Sequence, residues 1–545
     1  MNDEILRANP TAAGAPTTGD QSLTRSEKCI VAFAVLMGVL AVASSNTVID
    51  LDLFHQMALF REMWTTSAVP AGGTFAYNPT LDPVVHHEWG TGAIHFFTIV
   101  GTGLGSTGLM ILKYLVTFAV CFACYFAARR HHGLFLTICF LAPVALCVGG
   151  YTGFTNVRAQ MFTLLFLALQ FWMIGRDLDG MRKWALCWPL MILLWCNVHG
   201  GVVAGLGIFG IYAAWRVVGI WLETGSTETA AKKTWHLLAL LGMAPAILCI
   251  NPWGTTYIPY LIRAVRMKRE LIGEWQPIWH SPNTSMLSMY AVAILIWLAA
   301  AMLIVGEQKK QTRSARELVA AMWKFLFPIV VVGLTAALAA KHIRHISIFA
   351  VTWVCFVPGL LARTELRESL SSVSATNRKL LVRFSVAIAM FAFAISANAK
   401  FGSIQTPEVR TARLRGAPIY PVSALNFLQQ QGTQGNMMVP FASGAYVSWR
   451  MHPNIKVSID SRYEAAYPEG AVEESVAFYH AWDSWRTILD RYPTDLILVP
   501  TSAPVYAELN TAIASHELSW HSIYRDTSYA IYARIDGNQV ASTKR

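Results

Sequence analysis

The segment Ile49-Asp50-Leu51-Asp52-Leu53-Phe54-His55 follows the apolar run 29–45, and it opens a loop that closes with His86-His87-Glu88-Trp89. Two carboxylates two residues apart therefore stand at the end of an apolar helix, where membrane proteins usually place neutral or aromatic interface residues. An acid at a bilayer boundary costs less than one at the bilayer centre, but it still requires a reason. The remaining chain is organised around this loop, residues 48–89.

The composition is that of a polytopic membrane protein. Of the 545 residues, 54% are hydrophobic and 14% are charged, whereas soluble domains carry about 25% charged residues. The formal net charge of +11 could suggest nucleic-acid binding, but the basic residues cluster in short segments between apolar runs. That distribution is the positive-inside pattern, so we exclude nucleic acid as a partner and expect the lipid bilayer instead.

The alternation of charge predicts about eleven transmembrane helices of roughly 20 residues, some of them short. Residues 1–24 lack periodicity and predict a disordered cytoplasmic tail. Residues 88–100 are apolar but too short for a full span, which predicts a juxtamembrane helix. The predicted spans cover residues 29–45, 109–128, 134–148, 160–174, 184–195, 202–222, 235–250, 286–305, 318–340, 346–361 and 381–397.

Residues 25–399 therefore form a predicted transmembrane domain, with 48–89 as its first extracytoplasmic loop. Within that loop, apolar residues at helical spacing in 51–64 predict a helix lying along the membrane interface. Residues 400–545 predict a small extracytoplasmic α/β domain. Its strand-like runs are 436–440, 456–460, 495–500 and 529–534, and its helix-like runs are 421–431, 471–490 and 503–516.

On this topology the unusual polar residues gather at one face of the membrane. They are Asp50, Asp52, His55, His86, His87, Glu88, Arg158, Asn197, His199, Asn251, Glu274, His342, Arg344 and His345. Carboxylates beside histidines and arginines can supply a general base, metal ligands and an anion-binding group. That combination suits sugar or phosphate chemistry on a lipid carrier, and it equally suits the vestibule of a transporter.

The order of these motifs resembles the GT-C superfamily of lipid-dependent glycosyltransferases, and more specifically a bacterial membrane branch of it. The likeness covers nearly the whole chain. It is carried by Asp50-Leu51-Asp52, His87-Glu88-Trp89, Asn197-Val198-His199-Gly200-Gly201, Asn251-Pro252-Trp253-Gly254, Glu274-Trp275 and Val457-Ser458-Ile459-Asp460-Ser461-Arg462. The chain departs from oligosaccharyltransferases in lacking a sequon-recognition motif, so no acceptor follows from the resemblance.

The resemblance implies a glycosyltransferase of the extracytoplasmic face, with a polyprenyl-phosphate-linked hexose or pentose as donor. The acceptor would be a glycan, lipid or protein that the C-terminal domain helps to bind. Asp50 or Asp52 would be the catalytic base or would hold a divalent metal ion, Mg²⁺ or Mn²⁺.

The location implied for the protein is a bacterial inner (cytoplasmic) membrane, with a cytoplasmic N-terminus and an extracytoplasmic C-terminal domain. The alternatives are a transporter or flippase component for a lipid-linked or anionic substrate, or an inactive scaffold.

The charged candidates also have structural interpretations. Asp50 and Asp52 could cap a helix and form an interfacial salt bridge. Arg158 and Arg344 could extend to the interface, yet a planar guanidinium suits a phosphate, and Arg344 is the candidate for the donor phosphate. Capping of the juxtamembrane helix is the simpler role for Glu88.

The remaining substrate-binding candidates are uncharged or lie in turns. His199 stands in a glycine-rich turn, where both a substrate contact and tight packing are plausible. The others are Asn197, His55, His342 and Glu274. Asp460 and Arg462 are expected to pair with each other or to shape a strand end, not to take part in catalysis.

Overall fold

The computed structural model describes residues 49–128, 157–267, 269, 272–365, 413–414 and 417–535. The predicted tail 1–24, the anchor 29–45, the spans 134–148 and 381–397 and the domain boundary at 399 lie outside these residues. The domain boundaries therefore stay predictions.

Two short helices precede the long helices of the bundle. Helix α1 is Asp52–Thr66, and helix α2, Trp89–Phe96, continues into a π-helical turn at Phe97–Gly101. The following helices are α3 (Ser106–Ala128), α4 (Gln160–Leu178), α5 (Trp184–Val198), α6 (Val202–Thr224), α7 (Thr227–Leu248), α8 (Tyr257–Arg266), α9 (Thr284–Gln311), α10 (Ala315–Lys341) and α11 (Ile346–Leu361).

Six helical stretches of the described part are long and apolar enough to cross a membrane. They are α3, α4, α6, most of α9, α10, and α11 with the turn before it. Helix α5 is apolar but has only 15 residues, fewer than the ~20 that a span needs. The multi-pass helical architecture is thus confirmed, whereas the number of eleven spans is not.

A buried carboxylate ties the helices together at the end of α4 that lies away from the first loop. Asp177 accepts hydrogen bonds from Tyr212 and Arg182, and its Oδ1 lies 2.8 Å from Nε2 of His236. A buried acid needs such partners because it has lost its water. This cluster joins α4, α6 and α7 and was not predicted from the sequence.

The C-terminal part is a small α/β domain, as predicted. Its elements are β1 (Arg413–Leu414), β2 (Ala417–Pro418), α12 (Val422–Gln430), β3 (Gly435–Met438), α13 (Phe441–Met451), β4 (Ile455–Val457), α14 (Ala471–Tyr479), α15 (Trp485–Arg491), β5 (Leu496–Pro500), α16 (Pro504–Ala514), β6 (Trp520–Arg525) and β7 (Tyr529–Arg534). The sheet order is β4-β3-β5-β7-β6, with β4, β3 and β5 parallel and the remaining pairs antiparallel.

The first loop completes this sheet at its β4 edge. The Val457 N–H donates to the Phe75 carbonyl at 2.9 Å, and the Tyr77 N–H donates back to the Val457 carbonyl at 3.1 Å. The bridge between Ala76 and Val457 is parallel. The loop and the C-terminal domain are therefore one packed body, which fixes the domain over the end of the bundle that carries α1 and α2.

Helix α1 lies between the bundle and the C-terminal domain. The ring of Phe54 packs edge-on against Tyr420 and Tyr446, with centroids 5.0 and 4.9 Å away, and Arg61 lies over Trp449. Seven α1 residues are buried. Trp64, near the end of the helix, is 63% exposed, and the location of α1 along the membrane interface stays a prediction.

Candidate active site

A cavity of about 260 Å³ lies where the first loop, the helical bundle and the C-terminal domain meet. Seven of the sequence-predicted site residues line it: Asp50, Asp52, His55, Glu88, Arg158, Glu274 and Arg344. Residues from widely separated parts of the chain thus converge at one end of the bundle, as the sidedness of the motifs predicted.

The two aspartates at the start of α1 have different surroundings. Asp50 Oδ1 accepts the backbone N–H of Asp52 at 3.0 Å, and its Oδ2 lies 3.3 Å from Nε of Arg158. The interpretation of a helix-terminal acid in a salt bridge therefore describes Asp50. Asp52 lies 3.9 Å from Arg158, and 32% of its side chain is exposed against 15% for Asp50. Burial and the nearby carboxylates of Asp50 and Glu88 raise the pKa of Asp52 well above the usual range.

Glu274 holds two arginines. Arg158 donates to it through both terminal nitrogens, at 2.7 and 3.2 Å, and Arg344 Nη1 lies 3.4 Å from Oε1. Burial alone would raise the pKa of Glu274, but the two guanidinium groups outweigh it and lower that pKa to about 2. Glu274 is therefore an ionised anchor at neutral pH.

The guanidinium of Arg344 is fixed at the turn between α10 and α11. Its Cζ lies 4.6 Å from the centroid of Trp275, which favours a cation–π interaction. His342 Nδ1 donates to the Trp275 carbonyl at 2.6 Å, and Gln160 Nε2 donates to the Arg344 carbonyl at 2.7 Å. His342 thus holds the backbone of Trp275 in place, and it does not line the cavity itself.

Glu88 does not cap α2 with its side chain, although it occupies the N-cap position. Its carboxylate accepts a hydrogen bond from Gln56 and lies 3.3 Å from Nε2 of His87 and 3.5 Å from Nε2 of His199. The capping interpretation is therefore wrong, because these side chains take the place of the helix N–H groups. Burial would raise the pKa of Glu88, but the adjacent His87 outweighs it and lowers that pKa.

His199 supports Glu88 from inside the bundle. Its Nδ1 accepts from the Gly201 N–H at 2.9 Å and lies 2.7 Å from the hydroxyl of Thr163, so the ring proton is on Nε2, towards Glu88. The Thr163 oxygen in turn accepts from Trp195 at 2.8 Å. Burial lowers the pKa of His199 to about 3, so the ring is neutral at neutral pH.

Asn197 and His55 have separate partners. Asn197 accepts from Trp89 Nε1 at 2.8 Å and donates to the Ile250 carbonyl at 3.0 Å, so it orients Trp89 and does not reach the cavity. His55 Nδ1 lies 2.8 Å from the Ser461 hydroxyl of the C-terminal domain. Burial lowers the pKa of His55 to about 4, so its imidazole is uncharged at neutral pH.

Asp460 and Arg462 pair with each other, as predicted from their sequence. Arg462 Nη2 lies 2.7 Å from Asp460 Oδ2, and its Nε donates to Oδ1 at 2.8 Å. Both side chains are buried, and Arg462 forms part of the cavity wall. This pair holds the segment after β4, which brings Ser461 to His55.

Sequence reasoning did not assign Gln56, Trp275 or Arg269 to the cavity, which all three line. Gln56 follows Asp52 by four positions, so helical spacing could have placed it on the same face. Trp275 belongs to the motif Glu274-Trp275 but was given no role of its own. Arg269, 4.0 Å from the Trp275 centroid, comes from an irregular segment whose sequence gives no comparable signal.

The carboxylates do not form a metal-ligand set in this arrangement. Among the described residues, no three His, Cys, Asp or Glu side chains converge on one point with the spacing of metal ligands. Asp50, Asp52 and Glu274 face Arg158 instead. Binding of Mg²⁺ or Mn²⁺ by Asp50 and Asp52 therefore does not fit the geometry.

Comparison with known proteins bears on the fold. No protein-family model and no curated protein matches the chain. A solved structure is similar: the oligosaccharyltransferase AglB of the archaeon Archaeoglobus fulgidus, in complex with an inhibitory peptide and a dolichol-phosphate. The match covers 95% of this chain and 75% of AglB, with a TM-score of 0.52 and 12% sequence identity. The chain therefore has an overall fold similar to that of AglB.

The predicted resemblance to a lipid-dependent glycosyltransferase is therefore confirmed at the level of the fold. At 12% identity the match concerns the fold alone. It extends over both the helical bundle and the C-terminal domain, because 95% of the chain is covered.

Proposed function

We propose that the protein is a membrane glycosyltransferase that moves a hexose or pentose from a polyprenyl-phosphate donor to an acceptor. The observation that carries this proposal is the cavity, in which carboxylates and two guanidinium groups face one another at the end of the bundle. The GT-C fold supports a lipid-linked donor, because the similar AglB was solved with a dolichol-phosphate.

Arg344 is the proposed ligand of the donor phosphate. It stands at the end of a membrane-crossing helix, the depth at which a polyprenyl phosphate head group lies. Stacking on Trp275 and the ion pair with Glu274 hold its planar group in one orientation. A guanidinium held in this way can donate two parallel hydrogen bonds to a phosphate.

Asp52 is the proposed general base, in preference to Asp50. Both oxygens of Asp50 are engaged, one by a backbone N–H and one facing Arg158. Asp52 is less tightly paired and more exposed. Burial and the neighbouring carboxylates raise its pKa, which makes the carboxylate a stronger proton acceptor.

In the proposed step, Asp52 takes the proton of an acceptor hydroxyl while that oxygen bonds to the anomeric carbon of the sugar. The bond from the anomeric carbon to the phosphate oxygen breaks, and polyprenyl phosphate leaves with the bonding electrons. Arg344 stabilises the charge that develops on the leaving phosphate. A single carboxylate acting as base suits transfer with inversion of the anomeric configuration.

A second cavity provides the proposed approach of the acceptor. It measures about 1040 Å³ and lies between α8 and the C-terminal domain. Arg263 and Arg266 line one side, Glu469 and Glu473 the other, and Tyr463 lines both cavities. An acceptor bound there, whether glycan, lipid or protein, would present its hydroxyl to Asp52 past Tyr463.

We also propose that the cavity faces the extracytoplasmic side of a bacterial inner membrane, with the N-terminus in the cytoplasm. The support is the charge distribution. Four basic residues lie where α9 ends and α10 begins, at the far end of those helices: Lys309 and Lys310 in α9, Arg313 in the connection and Arg316 in α10. Such basic connections favour the cytoplasmic side.

Replacement of the proposed base tests this function. Asp52→Asn is nearly isosteric, so folding should persist while turnover falls by ~10²-fold or more with donor binding retained. The measurement is release of polyprenyl phosphate from a panel of polyprenyl-phosphate hexoses and pentoses, using purified protein in nanodiscs.

The matched control is Asp483→Asn, which changes an exposed aspartate of the C-terminal domain and should leave turnover unchanged. Full activity of Asp52→Asn would exclude Asp52 as the base, and full activity of Asp50→Asn as well would remove the first loop from the mechanism. Movement of intact donor across a vesicle membrane, with no sugar released, would instead identify a flippase.

A further inference from the structure

Arg158 lies among three carboxylates. Its Nε is 3.3 Å from Asp50, its Nη1 is 2.7 Å from Glu274, and its Nη2 is 3.2 Å from Glu274 and 3.9 Å from Asp52. Every nitrogen of the guanidinium therefore faces a carboxylate oxygen. The acids come from the start of α1 and from the turn Gly273–Trp275, and Arg158 is what connects them.

The backbone fixes this placement. Ile49 and Val157 form a parallel β-bridge, and they are the residues directly before Asp50 and Arg158. The bridge aligns the two chain segments so that the aspartate and the arginine meet. Since only 13% of the Arg158 side chain is exposed, its position does not depend on a flexible surface rotamer.

A divalent cation would require the same space. Oxygen ligands of Mg²⁺ or Ca²⁺ converge on one point at about 2.0–2.6 Å. Here the oxygens of Asp50, Asp52 and Glu274 are spread around a planar group that is several ångströms wide. A guanidinium is also permanently charged in proteins, so it offsets the repulsion among the three acids at any working pH.

We infer that the Arg158 guanidinium stands in place of a divalent cation, so that this acidic site works without a bound metal ion. The inference rests on the proposed function for what the site does, but metal binding can be measured without any donor. In a metal-free site, the charge of the donor phosphate is balanced by Arg344, whose acidic partner Glu274 is shared with Arg158.

Mn²⁺ binding tests the inference directly. The full chain in nanodiscs is titrated with Mn²⁺, and bound ion is read from the loss of the free-ion electron paramagnetic resonance signal. The wild-type protein should show no saturable site. Arg158→Met keeps the apolar stem of the side chain but removes its charge, so the three freed carboxylates should create one saturable Mn²⁺ site. The double variant Arg158→Met/Glu274→Gln should lose that site again.

The control is Arg491→Met, which removes an arginine paired with a single glutamate, Glu474, on the C-terminal domain. One carboxylate should not retain Mn²⁺, so no saturable site should appear. Saturable Mn²⁺ binding by the wild type that Asp50→Asn abolishes would overturn the inference. A folded Arg158→Met protein that gains no Mn²⁺ site would do the same.

A second variant covers the case in which Arg158→Met fails to fold. Arg158→Lys retains a positive charge, so it should fold and bind no Mn²⁺. A saturable Mn²⁺ site in that variant would contradict the inference.

The outcome of the Mn²⁺ titration is independent of the proposed function, because turnover of Asp52→Asn is measured on another variant with another readout.

Discussion

The orientation of the Arg344 side chain is set by two neighbouring residues, Trp275 and Glu274. Its guanidinium is stacked on Trp275 and paired with Glu274, so its orientation is set before any ligand binds. An arginine that merely reached for the membrane interface would need neither contact. This fixed orientation supports the proposed role of Arg344 as a phosphate ligand over that of a snorkelling side chain.

Arg344→Lys is predicted to weaken binding of a polyprenyl phosphate by ~1.5–3 kcal/mol, roughly 10- to 150-fold. Lysine keeps the charge but replaces the planar fork by a single point charge. Binding of a tritiated short-chain polyprenyl phosphate to protein in nanodiscs measures the change, together with the melting temperature, which should be nearly unaltered.

The chain offers a closely matched control in Arg486→Lys. Arg486 lies 4.6 Å from the centroid of Trp485 and 3.1 Å from Glu517, which reproduces the stacking and pairing of Arg344 on the C-terminal domain. This substitution should leave lipid binding unchanged. Equal lipid affinity of Arg344→Lys and the wild type would show that Arg344 only extends to the interface.

At this scale the sequence revealed which residues gather but not how they pair. Charge and position in the sequence sufficed to predict that four charged residues lie at one face of the membrane: Asp50, Arg158, Glu274 and Arg344. The pairing of Arg158 with three acids could not be predicted, because it depends on the β-bridge between Ile49 and Val157, more than a hundred residues apart. The same holds for Glu88, whose partners come from α1 and from the turn after α5.

Among the elements, the crossing of α1 and α2 positions Glu88 and Gln56. The two helices approach so closely at Gly92 that a Cβ there would lie 2.2 Å from the Gln56 carbonyl oxygen. Gln56 is the residue whose side chain donates to Glu88. Close packing at this glycine is therefore a condition for the geometry of the cavity.

Gly92→Ala should destabilise the protein by ~1–3 kcal/mol, because the added methyl group forces the helices apart. Melting of the purified protein in detergent, followed by intrinsic fluorescence, measures the loss. The control is Gly210→Ala in α6, where a Cβ meets nothing within 4 Å. Since alanine is the better helix former by ~0.5–1 kcal/mol, that variant should be as stable as the wild type or slightly more so. Equal melting temperatures of Gly92→Ala and the wild type would contradict the close crossing.

Elements with strong periodicity were predicted well, and irregular ones were not. Helix α11 and strand β7 have the predicted bounds, 346–361 and 529–534. Helix α13 was missed because Gly444, two serines and several aromatic residues obscure its helical period. The predicted helix 471–490 is two helices, since Ala481 adopts a positive φ of 53° between them. Strand β6 was missed because only Trp520 in it is buried.

For the molecule as a whole, the decisive feature is the joining of three parts around one cavity. The bundle supplies Arg158 and Arg344, the start of the first loop supplies Asp50 and Asp52, and the C-terminal domain covers them. Composition and charge predicted the bundle and the small α/β domain. They could not predict that the first loop pairs with β4 of that domain, because an isolated bridge such as Ala76 to Val457 leaves no periodic pattern in the sequence.

The most direct test of the central claim is a cryo-electron microscopy structure of the protein in nanodiscs with a polyprenyl phosphate. We expect density for the phosphate within ~3 Å of the Arg344 guanidinium, with the isoprenoid chain leading from the cavity into the bilayer. A lipid phosphate bound elsewhere on the protein, with the cavity free of it at saturating lipid, would contradict the proposed donor site.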